Sequence, residues 1–290
     1  MSQMQNPFTR LKIRYIILDF ILIIFFTAFV MAIAGPRDIK TLDPVFGLSL
    51  YCWVMILIGF AINRRLNKLQ IKTYQLVGKT SLKALPWLLL LIIFYADRHL
   101  GNGINRLAAF FTHLASPALL KTEIEKIDIG IDSNSLQFPN LAVFILATVI
   151  VAPITEEFIF RGVLLHRWSA KWGKTSAILI SSIIFGLVHG DIFFMSRIVS
   201  GMIYSLIYLE TKTLVVPVIL HAMHNALALA STIVAHLSSA NQDVEVSFRD
   251  LWYGLINTAL ALPVLFYFIK WPRDSEPLPY TANKESEETS

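Results

Sequence analysis

Two adjacent carboxylates interrupt a mostly apolar stretch of the chain. Glu156 and Glu157 lie within residues 141–165, where few other side chains are polar. A charged side chain at the centre of a bilayer costs at least ~2.5–3.5 kcal/mol on insertion scales. Ionisable residues at that depth usually serve a function, so the pair predicts a functional site inside a membrane.

The spacing around this pair predicts different roles for its two members. Successive residues of a helix lie ~100° apart around its axis, so the two carboxylates face different directions. Glu157 precedes Arg161 by four residues, which is the favoured order for a helical ion pair. Glu156 has no such partner on its own helix and is therefore the better candidate for a general base or acid.

Two histidine-containing patterns follow the carboxylates. The first is Phe185-Gly-Leu-Val-His189, and in the second His221 and Asn225 lie four apart on one helical face. Counted at ~1.5 Å per residue from the ends of their helices, His189, His221 and Asn225 reach the depth of Glu156, nearer the cytoplasmic side. We therefore expect these residues to form one site.

Such a site suits hydrolysis of an amide bond. A carboxylate and a histidine can hold and activate a water molecule for attack on the carbonyl carbon. A second histidine and an asparagine amide can donate hydrogen bonds to the oxyanion that develops.

A zinc site is the alternative interpretation. Glu156, His189 and His221 make up a His₂Glu set, which is a known arrangement for catalytic Zn²⁺ with a bound water. The sequence lacks the His-Glu-x-x-His helix signature of zinc proteases. This favours a metal-free water activated by glutamate, with no cofactor.

The elements that position these residues are predicted to be membrane-spanning helices. Hydrophobic residues make up 55% of the chain, which excludes an ordinary soluble domain. Apolar runs along the chain predict an all-α integral membrane protein, a polytopic bundle of about eight transmembrane helices. The predicted spans are 15–34, 45–63, 84–96, 140–165, 174–194, 197–210, 213–237 and 250–270. The amphipathic segment 104–120 is a candidate for the membrane interface.

The placement of basic residues predicts the orientation of the bundle. Lys and Arg cluster before the first span and in alternate connections, most densely in residues 64–83. Basic residues near span ends mark the cytoplasmic side, so both termini are expected in the cytoplasm of a multi-pass protein of a bacterial inner (plasma) membrane. The net charge of +5 then reflects contact with anionic lipid headgroups, and nothing further supports binding of nucleic acid.

Composition divides the chain into four regions. Residues 1–139 carry the N-terminal transmembrane helices and an extracytoplasmic loop with the interfacial segment. Residues 140–237 hold the polar residues at membrane depth and form the predicted catalytic core. Residues 238–271 contain the last transmembrane helix, and residues 272–290 are predicted to be a disordered cytoplasmic tail.

Three short patterns therefore occur in order on successive helices: Glu156-Glu-x-x-x-Arg161, Phe185-x-x-x-His189 and His221-x-x-x-Asn225. Over residues 140–237 this order resembles the CAAX protease and bacteriocin-processing family of intramembrane proteases, also called the Abi family. The resemblance implies a membrane-embedded endopeptidase acting on a membrane-associated protein or peptide, and it leaves a zinc-dependent reaction open. Some members of the family are linked to bacteriocin maturation or self-immunity, and cleavage of CAAX proteins is an expectation inherited from the family name.

The resemblance also implies a role for each matched residue. Glu156 is the water-activating base, assisted by His189. Glu157 and Arg161 form a supporting ion pair. His221 and Asn225 stabilise the oxyanion.

Other functions fit the same residues. Glu157 and Arg161 are also compatible with a purely structural ion pair. A non-catalytic immunity or binding protein could use the same scaffold. A proton-coupled transporter would use Glu156, but transporters commonly carry repeats and broken helices in matched positions, and the sequence has no such pair.

Overall fold

The computed structural model of the chain is a bundle of helices, and it describes residues 6–34, 44–78, 83, 85–127, 136–137, 139–238, 246–269 and 276–288. A short 3₁₀ helix, Pro7–Arg10, precedes the α-helices. These are α1 (Ile13–Ala34), α2 (Pro44–Lys68), α3 (Thr73–Val77), α4 (Trp87–Ala115), α5 (Pro117–Ile127), α6 (Asn140–Trp172), α7 (Lys174–Leu187), α8 (Phe194–Thr211), α9 (Val215–Leu237), α10 (Phe248–Phe268) and α11 (Pro279–Glu288). These residues contain no strand, so the predicted all-α class is confirmed.

Within the described residues, four helices are long and apolar enough to cross a membrane. They are α1, α2, α6 and α9, and they coincide with the first, second, fourth and seventh predicted spans. Large apolar side chains face outwards along them, as Phe25 of α1 does with 70% of its surface exposed. Such a surface suits lipid rather than water. The other predicted spans fall on α4, α7, α8 and α10, for which crossing of the membrane stays a prediction.

Helix α4 runs without interruption from Trp87 to Ala115. It joins the short span predicted at 84–96 to residues 104–115 of the interfacial segment predicted at 104–120. The apolar run in the sequence ends at Asp97, but this residue is fully buried and accepts a hydrogen bond from Ser200 of α8 at 2.8 Å. The helix continues because a tertiary contact satisfies the polar side chain, which local sequence patterns do not reveal.

Helix α6 contains two π-helical stretches, Leu146–Val151 and Phe158–Leu165. Between them lies the α-helical segment Ala152–Glu157, which carries both glutamates. Pro153 has no backbone N–H to donate, which disturbs the regular bonding of the first stretch. π-Helical turns are rare and frequently occur at functional sites.

Helix α8 is the central element of the bundle, packed against α4, α7 and α9. Its large side chains, such as Ile203 and Tyr204, are buried among these neighbours. Small residues alternate with them, and at these positions other helices come close. The small buried residues are Ser196, Ser200, Gly201 and Ser205.

The N-terminal and C-terminal parts of the described chain meet at one end of the bundle. His166 of α6 is fully buried and stacks on Phe8 with 4.9 Å between ring centroids. The backbone N–H of Tyr280 in α11 donates to Nε2 of His166 at 3.3 Å. Arg167 and the carbonyl of Leu11 are hydrogen-bonded nearby. Residues far apart in the sequence therefore close this end together.

Helix α11 also forms hydrogen bonds with two other parts of the bundle. The amide of Asn283 donates to the backbone carbonyls of Gln75 at 2.8 Å and of Lys212 at 3.0 Å. Lys174 donates to the carbonyl of Glu276. We call the part of the bundle that carries Lys174, Lys212 and α11 the basic end.

The ordered helix α11 corrects the prediction of a disordered tail at 272–290. Composition suggests disorder because the segment is polar, but Tyr280 is only 5% exposed and Asn283 finds backbone partners. The buried Tyr280, the Asn283 amide and a hydrogen bond from Gln75 to Glu287 dock this helix on the bundle. Residues 272–275, 289 and 290 of the predicted tail lie outside the described residues.

A close approach of α4 and α10 gives a test of the packing. A Cβ atom on Gly103 would lie 2.5 Å from Oγ1 of Thr258 and 2.8 Å from the carbonyl oxygen of Gly254. Gly103→Ala must push the two helices apart, and overpacking of this kind costs about 1–3 kcal/mol. We expect a lower Tm in detergent for this variant. Gly47→Ala in α2 is the matched control, because a Cβ there meets no atom within 4 Å. Equal Tm values for the two variants would contradict this account.

Candidate active site

The carboxylate of Glu157 is the centre of the polar site. Its Oε1 accepts hydrogen bonds from Nη1 of Arg161 and from Nδ1 of His221, each at 2.8 Å. Arg161 lies one turn further along α6, as the spacing predicts, whereas His221 belongs to α9. The side chains of Glu157 and Arg161 are 0% and 1% exposed, so the pair is sealed inside the protein. Oε2 of Glu157 has no hydrogen-bond partner among the described residues.

The guanidinium group of Arg161 reaches across to α8. Its Nη2 donates to the carbonyl of Gly201 at 3.0 Å, and its Cζ lies 4.7 Å from the centre of the Phe185 ring on α7. A cation above an aromatic face is attracted by the ring. A Cβ atom on Gly201 would lie 3.3 Å from Nη2 of Arg161 and 3.1 Å from Cβ of Ser182, so glycine allows this approach. Arg161 thus links α6, α7 and α8.

His221 lies between the two glutamates. Its Nδ1–H donates to Glu157, and its Nε2 faces Oε2 of Glu156 at 3.9 Å. The ring packs against Tyr204, with 5.6 Å between centroids, and edge-on against Phe185 at 5.9 Å. A carboxylate that accepts from one ring nitrogen fixes which nitrogen is presented to the site. Glu157 therefore orients His221 so that Nε2 points towards Glu156.

Glu156 has a different environment from Glu157. Its side chain is 15% exposed, compared with 0% for Glu157. Its Oε1 accepts a hydrogen bond from the hydroxyl of Tyr51 on α2 at 3.1 Å. The distance of 3.9 Å from its Oε2 to His221 is too long for a direct hydrogen bond and suits a bridging water.

His189 and Asn225 each donate one hydrogen bond to a backbone carbonyl. His189 lies in the turn after α7, because α7 ends at Leu187 rather than continuing to residue 194 as predicted. Its Nδ1–H donates to the carbonyl of Phe185 at 2.8 Å, which leaves Nε2 for a ligand. The Nδ2 amide of Asn225 donates to the carbonyl of Thr148, in the first π-helical stretch, at 2.8 Å.

A cavity of about 270 Å³ adjoins these groups. Of the predicted site residues, His189, His221 and Asn225 line it. Glu156 does not line the cavity but lies behind His221, 3.9 Å from its Nε2. The structure therefore brings the predicted residues into one neighbourhood, with Glu157 and Arg161 as its buried support.

The cavity extends away from the basic end, and the depth of the site in the membrane stays a prediction. Its wall includes Ser196 and Arg197 at the start of α8, whereas Lys212 follows the last residue of α8. At ~1.5 Å per residue, Arg197 and Lys212 are ~22 Å apart along the helix.

Binding of zinc by Glu156, His189 and His221 stays a prediction of the sequence. In the described part of the chain, no group of three His, Cys, Asp or Glu side chains is arranged to hold a metal ion. Nδ1 of His221 donates to Glu157 and Nδ1 of His189 donates to a backbone carbonyl, which leaves Nε2 of each ring as the nitrogen that can contact a ligand. Glu156, His189 and His221 share a neighbourhood without forming a His₂Glu ligand set.

Sequence reasoning missed three participants in this region. Tyr51 donates to Glu156, Tyr204 packs on His221, and Arg98 lines the cavity. Arg98 carried a usable signal, because a cation inside an otherwise apolar helix faces protein or water rather than lipid. The tyrosines carried none, since aromatic residues are common throughout the apolar segments.

Comparisons with known proteins match the part of the chain that forms this site. Residues 138–227 match the family model described as Type II CAAX prenyl endopeptidase Rce1-like. A segment of 126 residues is 32% identical to YdiL of Bacillus subtilis (strain 168), whose name is that of a membrane peptidase. A segment of 93 residues is 36% identical to the membrane-embedded CAAX protease MroQ of Staphylococcus aureus (strain USA300).

These similarities cover only part of each protein. The first covers 41% of this chain and 52% of the Bacillus protein, and the second covers 30% of this chain and 38% of the Staphylococcus protein. No solved structure matches the chain. The apolar helices and these relatives identify an integral membrane protein. Over residues 138–227, the chain is thus similar to the Type II CAAX prenyl endopeptidase Rce1-like family.

Proposed function

We propose that the protein is an intramembrane endopeptidase that hydrolyses a peptide bond with a water activated by Glu156. The observation that carries the proposal is the 3.9 Å separation between Oε2 of Glu156 and Nε2 of His221, next to a polar cavity. A water held there contacts a base on one side and the substrate cavity on the other. The names of the two relatives agree with this activity.

The first step forms a tetrahedral intermediate. The water oxygen attacks the carbonyl carbon while Glu156 takes its proton, and Nε2 of His189 accepts a hydrogen bond from the same water. The oxyanion accepts a hydrogen bond from Nε2–H of protonated His221 and one from the second N–H of Asn225. In the second step Glu156 gives the proton to the amide nitrogen, the carbonyl re-forms and the C–N bond breaks.

Glu157 and Arg161 support this reaction without touching the substrate. Glu157 accepts from Nδ1–H of His221 and stabilises the imidazolium that donates to the oxyanion. Arg161 balances the charge of Glu157 and anchors it to α8. The reaction as proposed uses no metal or other cofactor.

The substrate of the proposed reaction is a membrane-associated protein or peptide. The eight helices α1, α2, α4, α6, α7, α8, α9 and α10 of the described chain would cross a bacterial inner membrane, with both termini in the cytoplasm. In support, the N-terminal and C-terminal parts of the described chain lie together at the basic end, and basic residues favour the cytoplasmic side. The cavity would then be reached from within the membrane or from its other side.

Substitution of Glu156 tests the proposed chemistry. Glu156→Gln keeps the size of the side chain but removes the base, and we expect a loss of about 10²–10⁴-fold in kcat. Peptide ends in membrane proteomes of wild-type and variant cells identify the cleaved bond, and purified proteins measure the rate. Glu125→Gln on α5 is the control, because this glutamate is exposed and remote from the cavity. Unchanged peptide ends in Glu156→Gln cells would favour a non-catalytic immunity or binding protein.

Loss of the Glu157–Arg161 pair should destabilise the protein more than loss of the charge of Glu156. Arg161→Gln leaves the charge of Glu157 buried without its cation, and breaking a buried pair in this way costs about 3–5 kcal/mol. Its Tm in detergent should therefore fall well below that of Glu156→Gln, whose residue is partly exposed. The double change Glu157→Gln with Arg161→Gln removes both charges and should recover part of the loss. A wild-type Tm for Arg161→Gln would refute the supporting role of the pair.

Chelation tests the metal-free part of the proposal. We expect purified protein to retain its cleavage rate after dialysis against EDTA and 1,10-phenanthroline, because Glu156 and His189 act directly on the water. The assay compares initial rates before and after treatment, with a known zinc protease as the control. Loss of activity that returns on addition of Zn²⁺ would overturn the metal-free mechanism.

A further inference from the structure

The cavity contains a cation that the proposed reaction does not use. Arg98 of α4 lines it together with His221 and Asn225, although Arg98 lies outside the matched residues 138–227. Its Nη1 lies 3.3 Å from Nε2 of His224, so the guanidinium donates to a neutral imidazole. Among the described residues it forms no ion pair with a carboxylate.

The carboxylates near Arg98 are directed elsewhere. Asp97 is the next residue on the same helix and therefore points ~100° away. It accepts from Ser200 inside the contact between α4 and α8. Asp191 pairs with Arg197, the other cation in the cavity wall. Of the two arginines that line the cavity, Arg98 is thus the one whose charge no carboxylate of the described residues neutralises.

The rest of the wall suits a ligand with acceptor oxygens. A guanidinium group carries five N–H donors in a planar fork, and the contact with His224 uses only part of that fork. The amides of Asn102 and Asn105 line the same cavity, one and two turns further along α4. A planar fork flanked by amide donors matches the two oxygens of a carboxylate.

The size of the cavity limits what can bind. Its volume of about 270 Å³ is slightly below the ~300–1,000 Å³ of pockets for drug-sized ligands. It therefore admits a short piece of an extended peptide rather than a folded element. His221 and Asn225 line the same cavity as Arg98, so a peptide bound to Arg98 shares the cavity with the groups that are proposed to act on its carbonyl.

We propose that Arg98 binds a carboxylate group of the peptide substrate and so selects which peptides are cleaved. The inference rests on the proposed function and adds a specificity residue to it. The carboxylate belongs either to the C-terminus of the peptide or to an Asp or Glu side chain near the cleaved bond. A peptide without it leaves the cation unpaired in a partly buried cavity, which weakens binding.

Binding of defined peptides tests the proposal directly. The probes are acetyl-Leu-Leu-Ala as free acid and as C-terminal amide, and the amidated peptides acetyl-Leu-Glu-Leu and acetyl-Leu-Gln-Leu. Their affinities for the full chain in detergent are measured by thermal shift. We expect the affinity of wild-type protein for the carboxylate member of at least one pair to be higher by about tenfold or more, because hydrogen bonds to charged groups contribute this much to binding. The preferred pair identifies the source of the carboxylate.

Variants on α4 assign the preference to Arg98. Arg98→Gln should abolish it, and Arg98→Lys should keep part of it, because lysine retains the charge without the fork. Arg106→Gln is the matched control, since Arg106 pairs with Asp250 and does not line the cavity. In cleavage assays the loss for Arg98→Gln should appear in KM, with kcat little changed.

Each result decides one of the two proposals. Equal affinity of wild-type protein for both members of each pair would overturn the inference, as would a preference that survives in Arg98→Gln. If Arg98→Gln fails to fold, an undiminished preference in Arg98→Lys refutes the fork geometry, and a reduced preference supports it. Wild-type protein that prefers the carboxylate but cleaves no peptide refutes the proposed function and leaves the binding site standing.

Discussion

Sharing of the Glu157 carboxylate between Arg161 and His221 is the interaction on which the rest of the site depends. An unpaired carboxylate buried among apolar helices would be very costly, so its partners have to remain in place. One partner lies on the same helix, the other comes from α9, and Arg161 continues to Gly201 of α8. The charge of Arg161 offsets that of Glu157. A paired charge is the arrangement that a medium of low dielectric tolerates best.

The parts of the site that sequence predicted are those with local causes. Glu157 and Arg161 pair because four residues separate them on one helix, and that spacing is visible in the chain. The hydrogen bond from Tyr51 to Glu156 joins residues 105 positions apart and follows from no pattern around either of them. The predicted span to residue 194 missed the turn at His189, because apolar residues resume at Ile192 after the short polar break of residues 189–191. The sequence predicted that Glu156 and His221 lie at a common depth, but not that they lie next to each other.

The fold departs from prediction at α4 and α11, and both departures have one cause. Composition shows that a residue is polar, but not whether a residue far away in the sequence forms a hydrogen bond with it. Asp97 marks an apparent end of an apolar run, yet it bonds Ser200 from within the helix. Asn283 lies in a segment that looks disordered, yet it caps carbonyls of Gln75 and Lys212. Long apolar runs are predictable because burial in lipid needs no particular partner.

The meeting of Phe8, His166 and Tyr280 has a consequence for biosynthesis. Domains of a growing chain assemble from the N-terminal side while translation continues. The cluster of Glu157, Arg161 and His221 is complete once α9 has been made, whereas His166 receives its last partner from α11. A ribosome that stops short of Tyr280 therefore releases a chain with an assembled polar cluster and an open basic end. Such a chain exposes the Phe8 and His166 rings to cellular quality control.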